Sequence, residues 1–188
     1  MDALLVYGAN GYTGQLVLDA AKAAGITPII AGRDPVSIGA LAAERGLSSR
    51  VFSLDESDAV RAGLDGVHTV LHCAGPFSRT ATPMVEACIA TGTHYLDITG
   101  EIAVFERLKH KFGSAAADAG VMLLPGVGFD VVPSDCLAKY LSTRCPDAVS
   151  LDLAFAGSGG LSHGTATTMV ENIAAGGAVR EAGVIKAV

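Results

Sequence analysis

Three glycines recur at every third position in Gly8-Ala9-Asn10-Gly11-Tyr12-Thr13-Gly14. The run follows a short apolar stretch and opens a helical pattern, the context in which such a loop holds phosphate. Gly8 lets the chain turn sharply, Gly11 removes a side chain where backbone must approach an anion, and Gly14 lets a helix pack close to the strand. Amide groups at the start of that helix then face the phosphates, helped by the helix dipole. The expected ligand is the pyrophosphate of a dinucleotide, with Asn10, Tyr12 and Thr13 beside it. The spacing is GxxGxxG rather than the stricter GxGxxG, so a tight turn whose glycines serve packing alone stays open.

A second cluster follows at Ala31-Gly32-Arg33-Asp34. Folds selective for NAD place an acidic residue at the end of this strand to hold the ribose hydroxyls. Here Gly32 takes that place and Arg33 comes next. A guanidinium can grip a 2′-phosphate bidentately. A charge-assisted hydrogen bond of roughly 1.5–3 kcal/mol changes affinity about 10- to 150-fold. NADP is therefore the expected cofactor. NAD stays open if Asp34 points into the pocket, and Arg33 could instead be a solvated loop charge. Asp55, just past the next strand, is either an adenine-facing carboxylate or the cap of the following helix. Cys73, Ala74 and Gly75 end a further strand, and their small size would let the nicotinamide half pass close to the backbone. His72, one residue earlier, is expected to be a satisfied core histidine rather than a catalyst.

Hydride transfer needs orientation, a donor for a developing oxyanion and exclusion of water. Asp97 and Glu101, in Thr93-His94-Tyr95-Leu96-Asp97-Ile98-Thr99-Gly100-Glu101, are the candidate catalytic residues. A carboxylate there could act as general acid or base if burial raised its pKa. The alternatives are a loop turn for Asp97 and a helix cap for Glu101. Asp130 shapes the cleft or makes the turn out of the first domain, and Ser134 and Asp135 are expected as N-cap and first turn of the next helix. No tyrosine is followed four residues later by lysine, so the Tyr-x-x-x-Lys dyad of short-chain reductases is absent. Cys88, His94 and Asp97 lack metal-ligand spacing, and no metal is expected. The four cysteines, Cys73, Cys88, Cys136 and Cys145, have no CxxC spacing. They are expected to be reduced, buried and structural.

The elements that must position these residues alternate along the chain. Strands are expected at Ala3–Tyr7, Thr27–Ala31, Arg50–Ser53, Thr69–Cys73, His94–Ile98 and Val121–Leu124. Helices are expected at Thr13–Ala24, Ser37–Arg45, Ser57 (as cap) to Leu64, Pro83–Ala90 and Ala103–Ala119. Such alternation means βαβ units and a Rossmann-type doubly wound parallel sheet, with ligands beyond the carboxyl ends of the strands. Residues 1–125 form this domain. Residues 126–188 are expected to begin a second, incomplete α/β domain: a helix from Ser134 to Thr143, a strand at Asp147–Phe155, a loop at Gly157–Gly160 and a helix at Thr165–Ala175.

Composition excludes other classes. The 188 residues are half apolar, 17% charged, and carry a net charge of −6. An acidic chain without basic clusters is a poor nucleic-acid binder. Mean hydropathy is +0.44, yet no apolar run approaches the roughly 18 residues of a membrane span. The N-terminus has no basic region before its apolar residues, so no signal peptide is expected and a cytoplasmic location is. The expected partner is a small-molecule substrate, and a homodimer is compatible with the sequence.

The set GANGYTG, AGR, HCAGPF, THYLDITGE and PGVGFDVVPSD resembles the saccharopine dehydrogenase-like oxidoreductases, nearest the branch that includes trans-acting enoyl reductases. Order and spacing agree from Gly8 to about Asp135, and Ser162-His163-Gly164-Thr165 fits a further segment. The resemblance implies a pyridine nucleotide, a second α/β domain over the substrate, and a chain roughly twice this length. It implies that these 188 residues bind NADP(H) but turn over little by themselves. The expected function is NADP-dependent hydride transfer to or from a small or lipid-like substrate. The alternative is a non-catalytic nucleotide-binding sensor or scaffold.

Overall fold

The computed structural model describes residues 3–156, 166, 170, 177–182 and 184–187. Its contacts divide into two units, Met1–Ala154 and Phe155–Val188. In the first unit, β1 (Leu4–Tyr7), β2 (Ile29–Gly32), β3 (Ser49–Val51), β4 (Thr69–His72), β5 (His94–Asp97) and β6 (Leu123–Leu124) form one sheet ordered β3-β2-β1-β4-β5-β6. Every pairing in it is parallel. The chain first winds outward from β1 to β3, then returns to β4 on the other side of β1. That reversal is the topological switch at which doubly wound sheets bind ligands.

The helices of the first unit are α1 (Tyr12–Ala23), α2 (Pro35–Arg45), α3 (Ser57–Gly63), α4 (Phe77–Thr91), α5 (Ile102–Arg107), α6 (Gly113–Asp118) and α7 (Val132–Arg144). Strand side chains alternate between faces, and each face has its own core. Leu5, Tyr7, Val70 and Tyr95 pack with Val60, Met84, Val85 and Val104 on one side. Val6 and Ile30 pack with Leu18, Ile38 and Leu41 on the other. This is the doubly wound architecture expected from the alternation.

Several boundaries differ, each for a physical reason. Helix α4 starts at Phe77, and Pro83 lies in its interior rather than near its first turn. An interior proline costs about 3 kcal/mol. Burial of Met84 and Val85 on the same helix, at roughly 1.5–3 kcal/mol each, offsets it. The helix expected at Ala103–Ala119 is a continuous run interrupted by a π-helical segment at Leu108–Phe112. Glu56, not Ser57, is the N-cap position of α3. Ser134 is not an N-cap: α7 starts at Val132, and the Ser134 hydroxyl donates back to the carbonyl of Val131 (3.0 Å).

The strand expected at Asp147–Phe155 does not form. Val149, Leu151, Leu153 and Phe155 alternate as a strand would, but all four are exposed, and among the described residues no strand pairs with them. Alternation without a ladder partner leaves backbone hydrogen bonds to water. Of the cysteines, Cys88 is buried and Cys73 half-buried, but Cys136 and Cys145 are exposed: Cys136 lies on α7, which buries none of its residues, and Cys145 follows its last turn. The loop expected at Gly157–Gly160 lies outside the described residues, as does nearly all of the helix expected at Thr165–Ala175. In the second unit, β7 (Ala178–Glu181) and β8 (Val184–Ala187) form an antiparallel pair that the sequence pattern did not announce. Among the described residues no helix is long and apolar enough to cross a membrane.

Candidate functional site

The glycine loop leaves β1 at Gly8, which has φ +79°. A side chain there would be strained by the backbone and by space: an added Cβ would stand 2.9 Å from both the Cβ and the amide nitrogen of Ala74. At Gly14 an added Cβ would stand 2.8 Å from the Cα of Ala9, so α1 packs directly on the loop. The Gly8 amide donates to the Ala31 carbonyl (2.8 Å) and the Gly11 amide to the Gly8 carbonyl (3.0 Å). The loop is thus a fixed turn tied to β2. Gly11 occupies the N-cap position of α1 and offers no side-chain cap, and the first turn holds no acidic residue. The first-turn amides of Tyr12, Thr13 and Gly14 have no intrahelical acceptor. Asn10, Gly11 and Tyr12 are exposed around them.

At the end of β2, Arg33 is exposed. Asp34 is committed elsewhere: its carboxylate accepts the Val36 amide (3.0 Å) and the Ser37 hydroxyl, capping α2. The Ser37 hydrogen bond, then that of Val36, hold its pKa below the ordinary carboxylate value. Arg33 and Asp55 both act electrostatically on Tyr7, which is buried and pushed up to about 12 chiefly by desolvation. The Tyr7 hydroxyl donates to the Phe52 carbonyl (3.0 Å). Asp55 does not cap α3; it accepts the Ser53 hydroxyl (2.9 Å) in the loop before it.

Cys73, Ala74 and Gly75 form the turn after β4. The Cys73 amide donates to the Tyr7 carbonyl (2.8 Å), and the Gly75–Pro76 peptide is cis. The Thr80 hydroxyl contacts the carbonyls of Ala74 (2.7 Å) and Pro76 (3.0 Å), fixing the turn from α4. Burial, and secondarily the nearby Asp97, push the Cys73 thiol up to about 12, so it is no thiolate nucleophile. Sequence reasoning missed Thr80. A hydroxyl four residues after Pro76, at the start of a helix, was the available signal.

Asp97 is fully buried. Its carboxylate accepts the Tyr95 hydroxyl (2.6 Å) and the amides of Thr99 (2.9 Å) and Gly126 (2.9 Å). Its own carbonyl accepts the Val127 amide (2.7 Å). Desolvation raises its pKa while these three donors hold it down. Asp97 thereby ties the loop after β5 to the loop after β6. Glu101 is half-buried, and its two oxygens accept the amides of Phe77 (2.9 Å) and Ser78 (3.1 Å) at the start of α4. Asp130 lies against Gly100, where an added Cβ would be 3.3 Å from its carboxylate.

His72 is completely buried, as expected, but it is not satisfied: neither ring nitrogen has a hydrogen-bond partner. Its ring lies among Tyr7 (5.5 Å between centroids), Phe77 (5.4 Å, edge-on) and Tyr95 (6.2 Å). Desolvation lowers its pKa to about 3. It is a neutral spacer beneath the β4 turn.

The structure therefore brings Gly8–Gly14, Arg33 and Cys73–Gly75 to one carboxyl edge of the sheet, with the glycine loop and the β4 turn in contact at the switch point. These residues fit a pyridine dinucleotide. A helix start without an internal anion faces the loop, a Cβ on Gly8 would fill the contact with Ala74, and the one acidic side chain at the β2 end is bound to its own helix. Residues 4–124 match the family model described as the saccharopine dehydrogenase NADP-binding domain. The chain belongs to that family. Its description agrees with NADP as the expected cofactor. A trans-acting enoyl reductase of Mycobacterium ulcerans is 30% identical over 158 residues, covering 80% of this chain and 38% of that one. A saccharopine dehydrogenase-like oxidoreductase of Homo sapiens is 31% identical over 160 residues, covering 75% and 37%. The chain spans about two fifths of the length of these relatives. Apo saccharopine dehydrogenase (L-Glu forming) of Saccharomyces cerevisiae shares the fold with a TM-score of 0.67 at 19% identity, over 79% of this chain and 32% of that one.

Proposed function

We propose that this chain holds NADPH along the carboxyl edge of its sheet and serves as the cofactor half of an oxidoreductase. The substrate is small or lipid-like and carries a C=C, C=N or C=O bond. The single observation that carries this reading is the open start of α1 beside the Gly8–Ala74 contact. Helices α2 and α4 have their first turns filled by Asp34 and Glu101, whereas α1 has neither a side-chain cap nor an acidic first turn.

In this reading the amides of Tyr12, Thr13 and Gly14 bind the pyrophosphate through hydrogen bonds and the helix dipole. Arg33 binds the 2′-phosphate, and the capping of α2 keeps the Asp34 carboxylate out of its way. Asp55 flanks the adenosine half. The backbone of Cys73–Gly75 guides the nicotinamide half past the switch point. When bound, the nicotinamide supplies or accepts the hydride. Asp97 and Glu101 serve the chemistry by holding the loops around the crevice, since their oxygens already accept internal hydrogen bonds. Titration calorimetry with NADPH and NADH tests the reading. Saturable binding with NADPH preferred supports it, and no binding of either sinks it.

A further inference from the structure

Glu101 stands before one helix and serves another. It is the residue before α5, yet its carboxylate spans to the first two residues of α4, with Oε1 accepting the Phe77 amide (2.9 Å) and Oε2 the Ser78 amide (3.1 Å). Those amides are orphan donors of a 15-residue helix, and a carboxylate there is favoured by the macrodipole as well as by the hydrogen bonds. The carboxylate is itself fixed from behind. The Glu101 amide donates to the Thr99 hydroxyl (3.0 Å), and the Thr99 amide donates to buried Asp97 (2.9 Å). Arg107 grips the same turn from the other side, donating to the Ser78 carbonyl (2.7 Å).

The turn held in this way leads to the cofactor edge. Thr80, in the first turn of α4, contacts the Ala74 and Pro76 carbonyls, and Ala74 abuts Gly8. A continuous set of hydrogen bonds and contacts runs from Asp97 through Thr99, Glu101, Phe77–Ser78 and Thr80 to Ala74. Ala74 lies between Cys73 and Gly75, the path of the nicotinamide half. In the reading above the adenosine half would be served by Arg33 and Asp55, which follow β2 and β3 on the other side of β1 from this set.

We infer that Glu101 is a positioning residue for the nicotinamide half of the cofactor, acting through the start of α4 on the Cys73–Ala74–Gly75 turn. The inference rests on the dinucleotide reading above. It assigns Glu101 no proton transfer.

Two ligands separate the possibilities. NADPH needs both halves of the edge, whereas adenosine 2′,5′-bisphosphate needs the adenosine half alone. Calorimetry on the Glu101→Gln variant, with folding checked by circular dichroism, is expected to show NADPH weakened about tenfold, equivalent to about 1.4 kcal/mol. Adenosine 2′,5′-bisphosphate binding is expected to stay at the wild-type value. Thr80→Val removes the grip on Ala74 without touching Glu101 and is expected to give the same selective loss; it stands in if Glu101→Gln does not fold. Unchanged NADPH affinity overturns the inference, since a proton-transfer group would leave binding intact. Parallel loss of both ligands also overturns it, because that is the mark of general destabilisation. A wild-type protein that binds neither ligand removes the dinucleotide reading itself.

Discussion

Gly8 and Ala74 meet where the sheet reverses its winding, so closely that a Cβ on Gly8 would stand 2.9 Å from the Ala74 Cβ. The glycine loop and the β4 turn are one surface at this point. Replacing Gly8 by Ala forces a side chain into a backbone with φ +79°, a cost of about 1 kcal/mol before any clash, and pushes on the β4 turn. The Gly8→Ala variant is expected to unfold at lower urea and to lose NADPH binding at least tenfold. Equal affinity for NADPH in wild type and variant would remove the loop from the binding site.

Arg33 discriminates cofactors if the end of β2 reads the 2′-position. The Asp34 carboxylate is held by Val36 and Ser37, so Arg33 is the exposed charge left to face the ligand. Arg33→Ala is expected to lower NADPH affinity about 10- to 150-fold while NADH affinity stays within twofold. Competition of the two nucleotides in one titration reads the ratio directly. A parallel loss for both would place Arg33 elsewhere than at the 2′-phosphate.

His72 makes folding sensitive to acid. Its folded-state pKa is about 3 against an ordinary value of 6.5. Below pH 6.5 the unfolded chain takes up a proton that the folded chain refuses until about pH 3. Stability present above pH 6.5 is therefore lost as the pH falls through that window, by about 1.4 kcal/mol per unit at most. Among the groups facing His72, Tyr7 and Tyr95 are raised and stay protonated throughout. The nearby Asp97 is raised as well, so it works in the opposite sense. Asp97 titrates in wild type and His72→Leu alike, and the difference between the two isolates the imidazole. Urea unfolding at pH 7.5 and 4.5 is expected to show wild type losing about 2.7 kcal/mol more than His72→Leu. Equal losses would mean the imidazole is solvated in the folded state.

The sheet and the glycine loop were legible because their signals are local. Gly8, Gly11 and Gly14 follow an apolar strand and open a helix within seven residues, and later strands such as β2 are short apolar runs before a turn. The fate of Glu101 was not legible, because its partners Phe77 and Ser78 lie 24 and 23 residues away and only the fold brings them together. His72 read as a buried residue from its apolar neighbours, but whether its nitrogens find partners is decided across three strands. The segment around Val149–Phe155 carried a clean two-residue period and still formed no strand, since a strand also needs an edge to pair with.

The filled starts of α2 and α4 bear on selectivity. Any positive helix end is a weak trap for phosphate, sulfate or carboxylate. Asp34 and Glu101 are tethered anions whose local concentration no dissolved competitor can match. They quench two such traps at the edge where nucleotide would bind, and leave α1 open. Under the dinucleotide reading, stray anions would then meet the cofactor at one port of these three, the start of α1, and the other two would hold no mobile anion near it.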